Sequence, residues 1–182
     1  TWQDTLFTVR EAIMSQFARE SSGFHPYTSP LLRGGNEPVH VKVRVAGLPR
    51  LWLEADIGPD NYSADQAIWG DPQLIDKDGH ATPLTDLAPG FGQVGWGNLV
   101  VDQDFWSQPL QVAQKKFTRG LWAHAPSRLC YALDGKYEWF EAWVGIGVNA
   151  GGGGSSHFKV LQWPSLESSD EELWSRLAQD FP

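Results

Sequence analysis

Apolar residues recur at helical spacing over the first 20 residues of the chain. The steps between them are three or four residues, which places them on one face of a helix; they are Trp2, Leu6, Val9, Ile13 and Phe17. Gly23, Pro26 and Pro30 follow this stripe, and proline is poorly tolerated inside a helix. We therefore predict a helix that ends before Gly23, within an N-terminal helical extension over residues 1–27.

From residue 39 onward the period of the pattern changes to two. Val39, Val41, Val43 and Val45 alternate with polar residues, which is typical of a strand with one buried face. Further strand-like segments follow at the spacing expected of a sandwich or barrel, over residues 51–54, 68–75, 82–84, 98–101, 110–112, 117–122, 128–133, 139–148 and 157–163. The pattern predicts an all-β domain over residues 28–163.

Turn and loop signals separate these strand-like segments. Asp78-Gly79 is typical of a hairpin turn, and residues 90–97 and 151–155 are predicted as glycine-rich loops. After the β domain, Ser168 to Glu172 resembles a helix-capping sequence and precedes a short apolar stripe. We predict a linker and a short helix over residues 164–182, so that the β domain has short helices at both termini.

Composition and charge narrow the class of protein. The 182 residues suit one domain with extensions. The 14 basic and 22 acidic residues give a net charge of −8, which argues against a general nucleic-acid binder. Ten tryptophans stand beside a single cysteine, Cys130, so no disulfide framework, thiolate metal cluster or haem attachment is expected. No apolar run approaches the about 18 residues that indicate membrane insertion.

Motifs for catalysis are missing from the sequence. It contains no nucleophile elbow, no phosphate-binding loop for a nucleotide, no zinc-protease motif and no dinucleotide fingerprint. Glu138 and Glu141 are three residues apart on a predicted strand, so they face opposite sides of the sheet and do not form an acid/base pair. We therefore expect a non-catalytic protein.

A binding function is better supported by the residues. Sugars require an aromatic platform and a few fixed polar partners, and Arg119, Trp122 and His124 offer these types within one strand and its exit. Trp96 lies between two glycines, where an exposed ring is expected, whereas Trp106 lies in a loop without an assigned role. The alternative is that Trp122 is a core residue and His124 a strand-end histidine with a backbone partner.

The loop over residues 56–65 is a candidate metal site. Asp56, Asp60 and Asp65 supply carboxylates on a curved segment, and hard oxygen ligands of this kind suit calcium. The alternative is a solvated turn in which Asp and Asn are present for their turn propensity.

A longer set of motifs resembles a known family. The motifs are Gly95-Trp96-Gly97, the segment from Gly120 to Ser127 with His124-Ala125-Pro126-Ser127, Gly135-Lys136-Tyr137 with Trp139-Phe140, and Phe158-Lys159-Val160. In this order they resemble the first half of the NPCBM family, the novel putative carbohydrate-binding modules. The resemblance implies a galactose-binding-like jelly-roll β-sandwich that binds galactose-like glycans as part of a larger extracellular or periplasmic bacterial protein. We accordingly expect neighbouring domains in the parent chain.

The segment before these motifs resembles the second half of the same family. It contains Leu32-Arg33-Gly34-Gly35, the valine strand that ends at Gly47, Leu51-Trp52-Leu53, and Asp65-Gln66-Ala67-Ile68-Trp69. The two halves are thus in reversed order, and we hypothesise a circular permutation. It predicts that residues 157–163 lie beside the chain just before Arg33. An assembly of two swapped half-domains is the competing account.

The sequence departs from the family pattern near the candidate site. The family's acidic cluster after the valine-glycine-valine strand is replaced here by Asn149 and its neighbours. Through the resemblance, His124 is expected to bond a sugar hydroxyl and Trp96 or Trp122 to stack on the ring, with Arg119 or Asn149 assisting. The missing acids favour the alternative function, a structural or interaction jelly-roll module with a decayed sugar site.

Overall fold

The computed structural model describes residues 2–20, 23–165 and 175, and these residues form an all-β sandwich with one N-terminal helix. The helix and strands are α1 (Trp2–Glu20), β1 (Tyr27–Thr28), β2 (Leu32–Arg33), β3 (Val39–Arg44), β4 (Arg50–Ala55), β5 (Gln66–Asp76), β6 (Ala81–Pro83), β7 (Phe91–Gln93), β8 (Val100–Val101), β9 (Leu110–Val112), β10 (Lys115–Phe117), β11 (Gly120–His124), β12 (Ser127–Ala132), β13 (Tyr137–Ile146), β14 (Ser155–Ser156) and β15 (Phe158–Leu161). The predicted C-terminal helix lies outside the described residues except for Ser175, which is helical.

Two antiparallel sheets make up the sandwich. One has the strand order β1-β15-β4-β12-β7, and the other has the order β3-β13-β5-β11-β8 with β6 beside β5. The core between them is formed by the inward positions of both sheets, including Leu53, Trp69, Phe140 and Phe158, all essentially without solvent exposure. The predicted fold class, an all-β sandwich, is confirmed.

Helix α1 lies on the outer face of the five-stranded sheet. Ile13 is 2% exposed and packs against Trp52 of β4, which is 1% exposed. The helix covers Trp52 from outside, so β4 is buried on both faces. No helix among the described residues is long and apolar enough to cross a membrane.

The predicted glycine-rich loops are partly ordered into strands. Strand β7 lies within residues 90–97 and pairs with β12, with Gly92 directly opposite Leu129. Strand β14 begins at Ser155 and pairs with β2. The glycines show only that large side chains are absent at these positions. Whether the backbone is extended depends on pairing with a strand that is distant in the chain.

The geometric prediction of the permutation hypothesis is met. Ser155 and Ser156 pair with Arg33 and Leu32, and Val160 pairs with Tyr27. The segment at 155–161 therefore lies beside the chain before and at Arg33, as expected. The turn at Asp78-Gly79 joins β5 and β6 as a hairpin, which confirms the turn prediction.

Candidate functional site

Four exposed aromatic side chains form one surface patch at the end of β11. They are Trp106, Trp96, Tyr62 and Phe105, with exposed fractions of 47%, 44%, 43% and 38%. The Trp96 ring centroid lies 4.5 Å from that of Phe105 and 6.2 Å from that of Trp106. We call these four residues the aromatic patch. Exposed aromatics at this density form an apolar surface, and the faces of its individual rings are of the kind that sugar rings stack on.

His124 lies beneath the aromatic patch and is 6% exposed. Its ring centroid is 5.0 Å from that of Tyr62 and 5.9 Å from that of Trp96. Nδ1 lies 2.7 Å from the carbonyl oxygen of Ala125, so Nδ1 donates to that carbonyl, and in the tautomer that this contact fixes Nε2 is the acceptor. The backbone partner expected in the alternative interpretation is therefore present, and an exposed tryptophan lies beside the histidine as well.

Trp122 lies under the patch and is fully buried. It packs with Ile68, Leu110 and Phe117 in a small cluster on the outer side of the six-stranded sheet. Its ring centroid lies 5.6 Å from that of Phe105 and 6.3 Å from that of Trp96. Trp122 therefore supports the patch from below, and its ring offers no stacking face to a ligand in this conformation.

The loop that carries Phe105 and Trp106 is held by one buried carboxylate. Asp104 is 3% exposed, and its Oδ1 accepts hydrogen bonds from the backbone N–H groups of Trp106, at 2.9 Å, and Gln108, at 2.8 Å. Its Oδ2 accepts a hydrogen bond from the side-chain amide of Asn149. Asn149 was expected to assist a ligand directly, but the structure turns its amide toward Asp104, so it acts on the patch through the loop.

Arg119 is not brought to the aromatic patch. It precedes the first residue of β11, whereas His124 ends that strand. Its guanidinium donates to Asp102 and Asp86 and to the hydroxyl of Thr85. The expected role of Arg119 beside His124 therefore does not fit this geometry, because residues at opposite ends of a strand of this length are about 16 Å apart along it.

The three carboxylates of the candidate metal loop each have other partners. Asp56 pairs with His157 at 3.0 Å and with Lys159 at 3.4 Å, and Asp60 accepts a hydrogen bond from the hydroxyl of Ser155. Asp65 is completely buried; Oδ1 accepts the N–H of Ser155 at 2.7 Å, and Oδ2 has no partner among the described residues.

Burial, together with the negative charges of Asp60 and Asp56, raises the pKa of Asp65 to about 6 against the opposing effects of the Ser155 hydrogen bond and of His124. Such a carboxylate is a suitable partner for a cation. However, the ligand atoms of the three residues do not gather within 4.8 Å of one another, whereas those of Asp76, Asp78 and His80 do so in the described part of the chain. Calcium at Asp56, Asp60 and Asp65 stays a prediction.

Sequence reasoning did not assign Phe105, Trp106 and Tyr62 to the site. Tyr62 lies more than 40 residues before Phe105, and only the fold places its ring beside His124 and its hydroxyl on the carbonyl of Gly95. A usable signal was present in Phe105-Trp106, two large aromatics in a loop with no apolar alternation around them, because a loop has little core to bury them in.

The described residues thus form an antiparallel β-sandwich with an exposed aromatic patch at one end. Residues 80–167, just under half of the chain, match the family model of the NPCBM/NEW2 domain. The match confirms, over these residues, the resemblance to the NPCBM carbohydrate-binding modules stated above. No curated protein and no solved structure matches the chain. The segment before residue 80 lies outside the matched region.

Proposed function

We propose that the aromatic patch binds galactose-like glycans without catalysis. The observation that carries this proposal is the contiguity of four exposed aromatic rings with the acceptor nitrogen of His124 close below them. A pyranose with an axial hydroxyl has one apolar face of C–H groups, which packs on Trp96 or Trp106, and a hydroxyl at its edge donates to His124 Nε2. The preference for galactose rests on the family resemblance.

Two exposed tryptophans provide a direct test of the aromatic patch. Isothermal titration calorimetry with methyl β-galactoside is expected to give binding heat for the natural protein and a loss of about tenfold or more in affinity for Trp106→Ala and Trp96→Ala. Trp139→Ala is the matched control, because Trp139 is also exposed, at 36%, but lies on strand β13. The absence of binding heat with galactosides and of binding to a wider glycan array would contradict the proposal.

The alternative function is a structural or interaction module, and one observation favours it. His124 is buried with a backbone partner, which is what a purely structural histidine needs. In that case His124→Ala lowers stability but leaves every glycan titration unchanged. Loss of a measured sugar affinity in a folded His124→Ala variant would instead support the binding function.

The proposal includes an extracellular or periplasmic location and attachment to neighbouring domains, both on the strength of the family resemblance. Fractionation of the source cells, with an antibody raised against this domain, tests the location. Detection only in the cytoplasmic fraction contradicts it.

A further inference from the structure

A cavity of about 400 Å³ lies on the outer face of the six-stranded sheet, and none of its lining residues belongs to the aromatic patch. It is lined by residues of β5, β13 and the chain beside them, among them Asp71, Pro72, Gln73, Arg119, Glu141 and Trp143. This volume lies in the range of small-ligand sites. The motifs that resemble the NPCBM family gave no role to this face.

A β-bulge creates the cavity. Glu141 of β13 pairs with Gln73 of β5, and Trp143 of β13 pairs with Gly70 of β5. The step is two residues along β13 but three residues along β5, so β5 carries one extra residue there. Asp71 lies within this step and has φ of 45°, in the left-handed region that residues other than glycine rarely adopt. Bulges of this kind redirect side chains and are frequent beside ligand sites. The bulge displaces Asp71 and Pro72 to form one wall.

The polar groups of the cavity are held in place before any ligand arrives. Gln73 Nε2 donates to Glu141 Oε2 at 3.1 Å, and Lys42 Nζ lies 3.2 Å from Glu141 Oε1. Partial burial raises the pKa of Glu141, but the hydrogen bonds from Gln73 and Lys42 and the charge of Lys42 lower it by more, so it is a carboxylate acceptor at neutral pH. Arg119 is fixed on the other side by Asp86 and Asp102.

The remaining wall is apolar, and the cations near the cavity already have partners. Trp143, Pro72 and Pro83 contribute carbon surface, and Trp143 is held by Lys115, whose Nζ lies 3.4 Å from the ring centroid, and by the ring of His40 at 4.9 Å. The cations near the cavity, Arg119, Lys42 and Lys115, are matched by ion pairs or by an aromatic face. A strongly charged ligand therefore gains little here, whereas a ligand with both hydroxyl groups and C–H surface matches the lining.

We propose that this bulge cavity is a second sugar-binding site, which takes a neutral pyranose residue whose hydroxyls bond Gln73 and Glu141 and whose C–H surface contacts Trp143. The site is independent of the aromatic patch. A module with two separate sites holds a multivalent glycan more tightly than either site alone, because the second contact is intramolecular.

Nuclear magnetic resonance tests the bulge cavity on the intact chain. The side-chain amide of Gln73 and the indole N–H of Trp143 are followed while methyl glycosides of glucose, galactose, mannose, fucose, N-acetylglucosamine and N-acetylgalactosamine are added. Saturable shifts of both signals with at least one glycoside, retained in Trp106→Ala, are expected. If neither signal moves with any of the six, or if the shifts disappear in Trp106→Ala, the proposal is overturned.

Paired variants of β13 sharpen this test. Glu141→Ala is expected to weaken binding at the cavity about tenfold, which corresponds to the loss of a charge-assisted hydrogen bond. Glu138→Ala is the control, because Glu138 also pairs with a cation of β3, Arg44 at 3.6 Å, but does not line the cavity. Equal affinity in both variants contradicts the assignment. If only the aromatic patch fails to bind sugar, the signals of Trp96 and Trp106 do not shift, whereas those of Gln73 and Trp143 still do.

Discussion

Asn149 donates its side-chain amide to the buried carboxylate of Asp104, although the two residues are 45 positions apart in the chain. Asp104 in turn binds the backbone of the loop that carries Phe105 and Trp106. Asn149 therefore positions an aromatic loop from behind. Two side chains of the aromatic patch, Phe105 and Trp106, depend for their geometry on this polar contact.

Asp104→Ala is expected to lower sugar affinity at the aromatic patch about tenfold, the equivalent of about 1.4 kcal/mol. The variant removes no group that touches the sugar, but it releases the backbone of Trp106 and Gln108 and leaves the amide of Asn149 unpaired. Calorimetry with methyl β-galactoside measures the change. Asp104→Asn keeps one acceptor and is the control, and unchanged affinity in Asp104→Ala would contradict the positioning role.

Substitution of Trp122 is expected to lower stability, whereas substitution of Trp96 is expected to lower sugar affinity with little loss of stability. Trp122 is fully buried and Trp96 is 44% exposed, so Trp122→Ala costs about 3–5 kcal/mol of unfolding free energy, whereas Trp96→Ala costs about 1 kcal/mol or less. Urea denaturation followed by circular dichroism gives both values. A small loss for Trp122→Ala would show that its ring is not a core element.

Asp65 is expected to make stability fall as the pH rises from about 4 to about 6. Its pKa in the folded protein is about 6, raised from 3.8 by burial first and by the charges of Asp60 and Asp56. The folded state therefore binds a proton that the unfolded state has released, and ionisation above pH 6 works against folding.

Urea denaturation of the natural protein and of Asp65→Asn at several pH values measures this contribution. The difference in unfolding free energy between the two proteins is expected to shift in favour of Asp65→Asn as the pH rises through this window. Parallel pH profiles would exclude Asp65 as the group responsible, because the lowered pKa of Asp56 acts in both proteins.

Calcium is expected to raise the melting temperature if it binds the loop that contains Asp56, Asp60 and Asp65. A ligand that binds only the folded state stabilises it by mass action, and the unpaired Oδ2 of Asp65 is the oxygen that gains most. Thermal denaturation with calcium and with a chelator is measured for the natural protein and for Asp65→Asn, which is expected to lose the shift.

Asp76→Asn is the control for the calcium experiment, because Asp76, Asp78 and His80 form a separate group of possible ligands. If the calcium shift disappears in this variant and persists in Asp65→Asn, the ion occupies the hairpin instead. A melting temperature that does not change with calcium in any of the proteins would contradict the calcium prediction.

A chain reconnected in the family's usual order is expected to fold. In this variant a flexible linker joins Pro182 to Thr1 and new termini open between Asp78 and Gly79, which form an exposed hairpin turn. Exposed turns tolerate new termini, and the pairing of β1 with β15 and of β14 with β2 is unaffected. Cooperative unfolding and an unchanged circular dichroism spectrum are expected; a molten spectrum would count against the permutation.

The sequence by itself determined the elements whose signal is local. The alternation of Val39, Val41 and Val43, the helical stripe before Gly23 and the turn at Asp78-Gly79 each follow from side-chain periodicity or backbone conformation over a few residues. The family motifs located Trp96 and His124 as well, because they lie in one continuous stretch of residues 80–167.

Only the tertiary structure decided which aromatic rings face solvent and which polar groups have partners. Trp122 is covered by the hairpin of β9 and β10, and Trp52 by helix α1, although neither cover is encoded near those residues. Trp106 is exposed because a contact from Asn149 holds its loop. Burial and hydrogen bonding depend on neighbours that are distant in the chain. The local pattern therefore predicted the sandwich and left the location of its aromatic patch open.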